Sequence, residues 1–249
     1  MIYITGDTHG NWMNRLNSSA FPEGKEMTKD DYIIVCGDFG IWDNSASEKY
    51  ALKWLDKERF TTLFIDGNHE NFDLLDNYPV TEWHGGKIHQ INDSVIHLMR
   101  GQVYDICDKK IFTFGGASSH DVAGGIFELD DPELNQKVNK AYDKNLPCRI
   151  NHLSWWEREL PNAKEMQEGK NNLSPHDNKV DYIITHCPDS GLLKQMGSGL
   201  YKTDILSDYL LWIKLNIEYD RWFFGHMHVD DNFLHEKCIG LYEQIIRIA

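Results

Sequence analysis

The sequence predicts an α/β fold with largely parallel strands, and two observations support this prediction. Short hydrophobic runs rich in β-branched and aromatic residues alternate with segments whose apolar residues recur at helical spacing. The runs at 31–36, 61–66 and 180–185 are also nearly continuous in apolar residues, which is typical of strands covered on both faces. We therefore expect helices packed on sheet, in a single domain that spans residues 1–249.

The elements follow one another along the chain. Strands are predicted at 1–6, 31–36, 61–66, 180–185 and 220–224, and helices at 45–58, 131–144, 203–216 and, less regularly, 154–165. Short strands at 87–91, 94–99, 102–106 and 110–114 form a meander or part of a second sheet. Residues 165–179 are polar and are expected to be exposed, and residues 232–248 resemble two strands around Gly240.

Composition excludes some classes of function. Asp and Glu total 39 against 25 Lys and Arg, so the net charge is −14, which argues against a surface that grips duplex nucleic acid. A phosphate substrate stays compatible with this charge, because bound cations would reverse its sign locally. The five cysteines are scattered and form no CxxC pair, which indicates a reducing compartment, and we expect the cytoplasm. There is no long apolar run and no basic leader, so no membrane association is predicted.

Five short motifs each place Asp, Asn or His directly after a predicted strand. They are Gly6-Asp7-Thr8-His9, Gly37-Asp38, Gly67-Asn68-His69-Glu70, Thr185-His186 and Gly225-His226-Met227-His228. In an open α/β sheet, ligands bind outside the carboxyl ends of the strands. Any one of these residues could instead cap a helix or a turn. Five motifs at the same end of five strands favour one shared site.

The residue types in these motifs indicate metal binding. Carboxylate, amide and imidazole ligands without thiolates suit a pair of hard or borderline divalent cations. Asp7 and His9 are two residues apart in an extended segment, so both side chains point to one side, and His226 and His228 repeat this arrangement. Asp38 follows a glycine that lets the backbone approach closely, and its carboxylate could bridge two cations.

The order of these motifs resembles that of the calcineurin-like metallophosphoesterase superfamily, over residues 6–228. The resemblance implies a fold in which two mixed β-sheets pack as a sandwich flanked by helices, in four layers. It also implies a binuclear centre of two divalent ions, drawn from Mn, Fe, Zn or Ni, among which the sequence does not choose. A hydroxide that bridges the ions would attack phosphorus in a phosphate mono- or diester.

The resemblance further implies a role for each motif residue. Asp7, His9 and His228 would bind one ion, Asn68, His186 and His226 the other, and Asp38 would bridge them. His69 matches the catalytic histidine that assists the leaving group. Glu70 is expected to support its loop rather than to contact substrate.

The second motif departs from the family pattern. Many members read GDxxDR, whereas Ile41 and Trp42 stand where the last Asp and Arg would be, which disfavours the protein-serine/threonine phosphatases and leaves phosphate binding open. The candidates for that role are Asn11, Arg15, Arg100 and His120. We expect a small phosphate-ester or nucleotide-like substrate. Two alternatives stay open: a non-catalytic scaffold, against which the intact ligand set argues, and a DNA nuclease, against which the negative charge argues.

Overall fold

The protein is described by a computed structural model that covers residues 1–198 and 201–249. Within these residues one mixed sheet has seven strands. In spatial order they are β15 (Ile245–Arg247), β1 (Ile2–Thr5), β2 (Tyr32–Val35), β3 (Thr61–Phe64), β6 (Val95–Leu98), β5 (Gly86–Gln90) and β4 (Val80–Trp83). The four strands β1, β2, β3 and β6 are parallel, whereas β15 at one end of the sheet and β5 and β4 at the other end pair antiparallel to their neighbours.

The second mixed sheet has six strands among the described residues. In spatial order they are β13 (Asp231–Phe233), β14 (Cys238–Gly240), β12 (Glu218–Phe224), β11 (Lys179–Thr185), β8 (Lys109–Phe114) and β7 (Gln102–Ile106). The four strands β14, β12, β11 and β8 are parallel, and both edge strands are antiparallel. A short parallel pair, β9 (Ile126–Phe127) and β10 (Arg149–Ile150), lies outside both sheets.

Helices connect the strands of both sheets. They are α1 (Trp12–Leu16), α2 (Ala46–Lys57), α3 (Phe72–Leu75), α4 (Leu134–Asp143), α5 (Ala163–Leu173), α6 (Ser190–Met196) and α7 (Ile205–Asn216). None of the helices in the described ranges has the length and the apolar character that a membrane span requires.

Three apolar clusters show how these elements are layered. Between the sheets, Ile2 and Ile4 of β1 pack in one cluster with Ile184 of β11, because alternate residues of a strand point to opposite faces. On the outer face of the first sheet, Tyr3 of β1 joins a cluster with residues of α1 and α2. On the outer face of the second sheet, Ile183 of β11 joins a cluster with residues of α5 and α7. The four-layer sandwich that the resemblance implies is therefore confirmed.

The structure corrects the middle of the chain. The helix predicted at 154–165 is wrong, since residues Glu157–Glu159 form only a short 3₁₀ turn and α5 begins at Ala163. Pro161 cannot donate a backbone hydrogen bond, and Asn162 caps the new helix in a capping box with Glu165. The polar segment expected to be exposed is thus partly helical, with one face against the second sheet. The four predicted middle strands are real but belong to both sheets, β5 and β6 to the first and β7 and β8 to the second.

Candidate metal centre

The five sequence motifs follow the carboxyl ends of parallel strands, and the two sheets bring these ends together. β1, β2 and β3 contribute from the first sheet, and β11 and β12 from the second. Two hydrogen bonds join the sheets here: Nδ1–H of His186 donates to the carbonyl of Cys36 at 2.8 Å, and the backbone N–H of His226 donates to Oδ1 of Asp7 at 3.0 Å. With Nδ1 carrying the donated hydrogen, Nε2 of His186 is the atom left to bind a ligand.

A first group of side chains consists of Asp7, His9 and His228. The Nε2 atoms of the two histidines are 3.3 Å apart, and Oδ2 of Asp7 lies 3.1 Å from Nε2 of His228 and 4.0 Å from Nε2 of His9. Asp7 is buried, whereas the two histidines are exposed. This is a three-ligand set with one side open to solvent, which is how a catalytic metal site is built.

A second group surrounds His186, which is fully buried. Its Nε2 lies 3.3 Å from Oδ1 of Asn68 and 3.3 Å from Oδ1 of Asp38. The ring of His226 is also close, with its centroid 5.0 Å from that of His186. These four residues supply two nitrogen and two oxygen ligands, a set suited to a borderline divalent cation.

Asp38 lies between the two groups. Its Oδ1 faces Nε2 of His186 at 3.3 Å, and its Oδ2 faces Nδ1 of His9 at 3.8 Å. One oxygen of a single carboxylate is thus directed to each group, the arrangement that a bridging ligand requires. Asp38 is nine-tenths or more buried, so water does not satisfy these oxygens.

The backbone at the site adopts conformations that ordinary residues avoid. His9, Asp38, His226 and His228 all have φ between 44° and 62°, in the left-handed region. Such strain clusters where the fold must aim side chains at a ligand. Gly37 serves the same purpose, since a Cβ there would lie 2.2 Å from Nδ1 of His186. The close approach that the sequence indicated for this glycine is therefore present.

A buried carboxylate oxygen at the site lacks a partner. Oδ2 of Asp7 has no hydrogen bond of acceptable geometry to any residue that the structure describes, although Nε2 of His228 is near. Leaving such an oxygen unsatisfied costs about 1–3 kcal/mol or more, because the group has lost its water. A cation between Asp7, His9 and His228 would satisfy it, so the donor set fits the divalent ions that the resemblance implies.

The pKa values of the buried His186 and the half-buried His226 shift in opposite directions. Burial alone would lower the pKa of His186, but the carboxylates of Asp38 and Asp7 outweigh it and raise the pKa to about 10. Burial and the neighbouring His186 lower the pKa of His226 well below its ordinary value. A cation at Nε2 of His186 must displace a proton, so we expect metal binding to release protons and to weaken in acid. Calorimetric titration in buffers of different ionisation enthalpy would measure that release.

His69 lies beside both groups without joining either. Its backbone N–H donates to Oδ1 of Asp38 at 2.7 Å, and its ring centroid is 5.4 Å from that of His9. Burial lowers the pKa of His69, and the charge of Asp38 offsets this only in part. At neutral pH the ring is therefore uncharged, with one N–H to donate.

The candidates for phosphate binding separate into two pairs. Arg100 is buried and binds Asp66, and Arg15 donates to Oγ1 of Thr5 and to backbone carbonyls. Both guanidinium groups thus have partners within the chain, and those of Arg15 include the backbone carbonyl of Asp7 in the first ligand group. His120 reaches the second ligand group, with its Nε2 3.0 Å from Nε2 of His226, and Asn11 is exposed.

Sequence reasoning missed a chain of hydrogen bonds behind Asn68. Nδ2 of Asn68 donates to Oγ of Ser119 at 3.3 Å, and the Ser119 hydroxyl and backbone N–H donate to the carboxyl of Glu159 at 2.9 and 3.1 Å. Burial raises the pKa of Glu159 to about 8, although the bonds from Ser119 oppose this. A single Glu in a polar loop carries no pattern, so only the folded chain reveals it.

The fold and these groups define the class of metallophosphoesterases. A family model described as calcineurin-like phosphoesterase matches residues 1–230, and the chain belongs to this family. The resemblance drawn from the motifs is confirmed. The family consists of phosphoesterases, which hydrolyse phosphate ester bonds.

Two known proteins are similar to this chain. Lariat debranching enzyme A from Xenopus laevis is 24% identical over 258 residues, which cover 92% of this chain and 42% of that protein. The chain thus spans about two fifths of the length of this curated relative. Among solved structures, phosphopantetheinyl hydrolase from Mycobacterium tuberculosis matches with a TM-score of 0.45 and 15% identity, over 97% of this chain and 87% of that one.

Proposed function

We propose that the protein is a dimetal phosphoesterase that hydrolyses phosphate mono- or diesters. In this proposal Asp7, His9 and His228 hold one divalent ion, Asn68, His186 and His226 hold the other, and Asp38 bridges them. The observation that carries the proposal is the position of Asp38, whose two oxygens face the two groups at 3.3 and 3.8 Å. When bound, the ions would supply Lewis-acid activation of the ester and of the attacking water.

His69 is proposed to assist the leaving group. In hydrolysis a water oxygen forms a new bond to phosphorus, and the bond from phosphorus to the ester oxygen breaks with its electron pair on that oxygen. The ring N–H of His69 donates to the departing oxygen and stabilises its charge. The backbone N–H of His69 donates to Asp38, and this hydrogen bond fixes the position of the His69 backbone relative to the ligand groups.

The substrate class follows from the charge of the chain. With a net charge of −14, we propose a small phosphate ester or a nucleotide-like ester rather than duplex nucleic acid. All proposed ligands are nitrogen or oxygen atoms, so Mn, Fe, Zn and Ni stay equal candidates. We also propose a single domain over residues 1–249 and a cytoplasmic location, the latter from the scattered cysteines.

The test combines metal content with turnover. Chelator-treated protein is reloaded with Mn, Fe, Zn or Ni, its metal content is measured by mass spectrometry, and hydrolysis of p-nitrophenyl phosphate and bis-p-nitrophenyl phosphate is followed. We expect two ions per chain and metal-dependent turnover. One ion at saturation would contradict the bridging role of Asp38. Two bound ions without turnover of either ester would favour the scaffold alternative, and cleavage of DNA in preference to both esters would favour a nuclease.

A further inference from the structure

The loop Phe39–Asn44, which replaces the family's usual second-motif sequence, is held by two carboxylates. Glu70 accepts hydrogen bonds from the backbone N–H groups of residues 39, 40 and 41, at 2.6 to 3.3 Å. Glu48 accepts from those of residues 42, 43 and 44, at 2.6 to 3.1 Å. Six successive amides are thus bound, so the loop has little freedom to move. The expected supporting role of Glu70 is what the contacts show.

Trp42 is fixed within this loop. Nδ2 of Asn71 donates to the carbonyl of Trp42 at 2.8 Å. The indole packs edge-to-face on Trp156, with ring centroids 5.5 Å apart. Trp156 is buried, and its indole N–H donates to Asp73 at 2.8 Å. A half-buried indole held in this way offers a preformed aromatic surface.

That surface forms part of a cavity at the proposed catalytic site. The cavity has a volume of about 190 Å³ and is lined by His9, Gly40, Trp42 and His69. The described residues in its walls therefore supply two imidazoles, one indole and bare backbone, with no carboxylate and no Lys or Arg side chain among them. Pockets for drug-sized ligands measure about 300–1,000 Å³, so this cavity suits a single ring system.

We propose that this cavity binds the leaving group of the substrate and that Trp42 selects esters whose leaving group is planar and aromatic. The inference rests on the proposed function, because it places the leaving oxygen at His69. A group attached to that oxygen then lies in the cavity that His69 shares with Trp42. A planar ring can stack or pack edge-on against the indole, whereas a saturated ring of similar size gains only apolar contact. Trp42 contacts substrate in this role and determines specificity.

The test compares two leaving groups that differ in planarity. Benzyl phosphate and cyclohexylmethyl phosphate are both esters of primary alcohols of similar size, and each is assayed as the monoester and as the methyl diester. We expect the wild-type protein to have the higher kcat/KM for the benzyl ester. Trp42→Leu should lower the benzyl-to-cyclohexylmethyl ratio of kcat/KM by about 3- to 10-fold, the range expected for one aromatic pair. Trp42→Phe keeps an aromatic face and should retain most of the ratio.

Trp83→Leu is the matched control. Trp83 is also half-buried and packs edge-to-face on an aromatic ring, that of Tyr32 at 5.7 Å, but it lies at the end of β4. This variant should leave the ratio unchanged, and thermal unfolding of all variants checks that they fold. An unchanged ratio in Trp42→Leu, or an equal fall in Trp83→Leu, overturns the inference while the proposed function stands. No metal-dependent turnover of any of these esters overturns both.

Discussion

Asp38 and Asp66 follow neighbouring strands of the first sheet, and both are buried, but the fold neutralises them differently. Asp66 is paired within the chain: Arg100 donates two hydrogen bonds to its Oδ2 at 2.8 and 2.5 Å, and Nε2 of His97 lies 3.2 Å from its Oδ1. Among the described residues, the polar partners of Asp38 are imidazoles and one backbone N–H. Arg100, a permanent cation, neutralises Asp66, whereas protonated His186 offsets the charge of Asp38 in the metal-free chain, and we propose that divalent ions take over that role. The contrast distinguishes a carboxylate paired within the chain from one that we propose to be a metal ligand.

The largest expected effect is on activity at Asp38. Asp38→Asn keeps the shape of the side chain but removes the charge that faces both ligand groups. We expect loss of at least one ion and a fall in kcat/KM of roughly 10³-fold or more, since Lewis-acid stabilisation is worth several kcal/mol. Metal analysis and kinetics on the same sample measure both. The matched change Asp66→Asn should retain both ions in the folded protein. Two bound ions with normal turnover in Asp38→Asn would contradict the proposed difference between Asp38 and Asp66.

A large effect without loss of metal is expected at His69. His69→Asn removes the group assigned to the leaving oxygen but no proposed ligand. We expect kcat to fall about 10²–10⁴-fold while the metal content stays at two. His226→Asn is the comparison, because it removes a proposed ligand and should lose an ion. Loss of an ion in His69→Asn would show that His69 is itself a ligand.

The contrast between Asp38 and Asp66 shows which features of the site could be predicted from the sequence alone. The strands before the motifs were predictable, because buried parallel strands are continuous apolar runs, and the Asp and His residues after them could be placed at one edge. Asp66 directly precedes Gly67-Asn68 of the third motif, but its partner Arg100 lies 34 residues away. Pairing across that distance depends on sheet order, which local pattern does not encode.

The same limit applies to the loop of Trp42. The sequence showed that the second motif departs from the family pattern, but it did not show that Glu48 and Glu70 converge on that loop. Seven hydrogen bonds from six backbone N–H groups tie the loop to the start of α2, through Glu48, and to the third motif, through Glu70. The wrong prediction of a helix at 154–165 has a local cause instead. That prediction followed the apolar spacing, although Pro161 and the capping residue Asn162 mark the start of a new helix.

A smaller effect, on stability alone, is expected at Asp66. Asp66→Asn removes the closer of the two carboxylates that pair with the buried Arg100 and leaves only Glu165 at 3.8 Å, and we expect the free energy of unfolding to fall by about 3–5 kcal/mol. Denaturant unfolding with chelator present measures this without a contribution from metal. Asp105→Asn is the control, because its pair with Lys110 at 3.4 Å is exposed and should contribute under about 1 kcal/mol. Equal effects of the two changes would mean that Asp66 is not a structural carboxylate.

A change in the pH dependence of stability is expected at Glu159, which links the two regions. Its carboxyl binds Ser119, which binds Asn68, while the backbone carbonyls of Arg158 and Glu159 accept from Arg100. With its pKa raised to about 8 in the folded state, Glu159 stays protonated at neutral pH, whereas an unfolded Glu ionises near 4.3. Between these values unfolding releases a proton, so rising pH destabilises the fold through this group.

Glu159→Gln keeps the hydrogen-bonding shape and removes the titration. Relative to this variant, the wild-type protein should lose stability as pH rises from about 4.3 to about 8, with a slope of at most about 1.4 kcal/mol per pH unit. Denaturant unfolding across that range, with chelator present, gives a curve of stability against pH for each protein. The histidines near the ligand groups contribute to both curves, so their contribution cancels in the difference. Parallel curves would mean that Glu159 is ionised in the folded state. The bonds from Ser119 would then outweigh burial, and this carboxylate would belong with Asp66 as a charge satisfied by the chain itself.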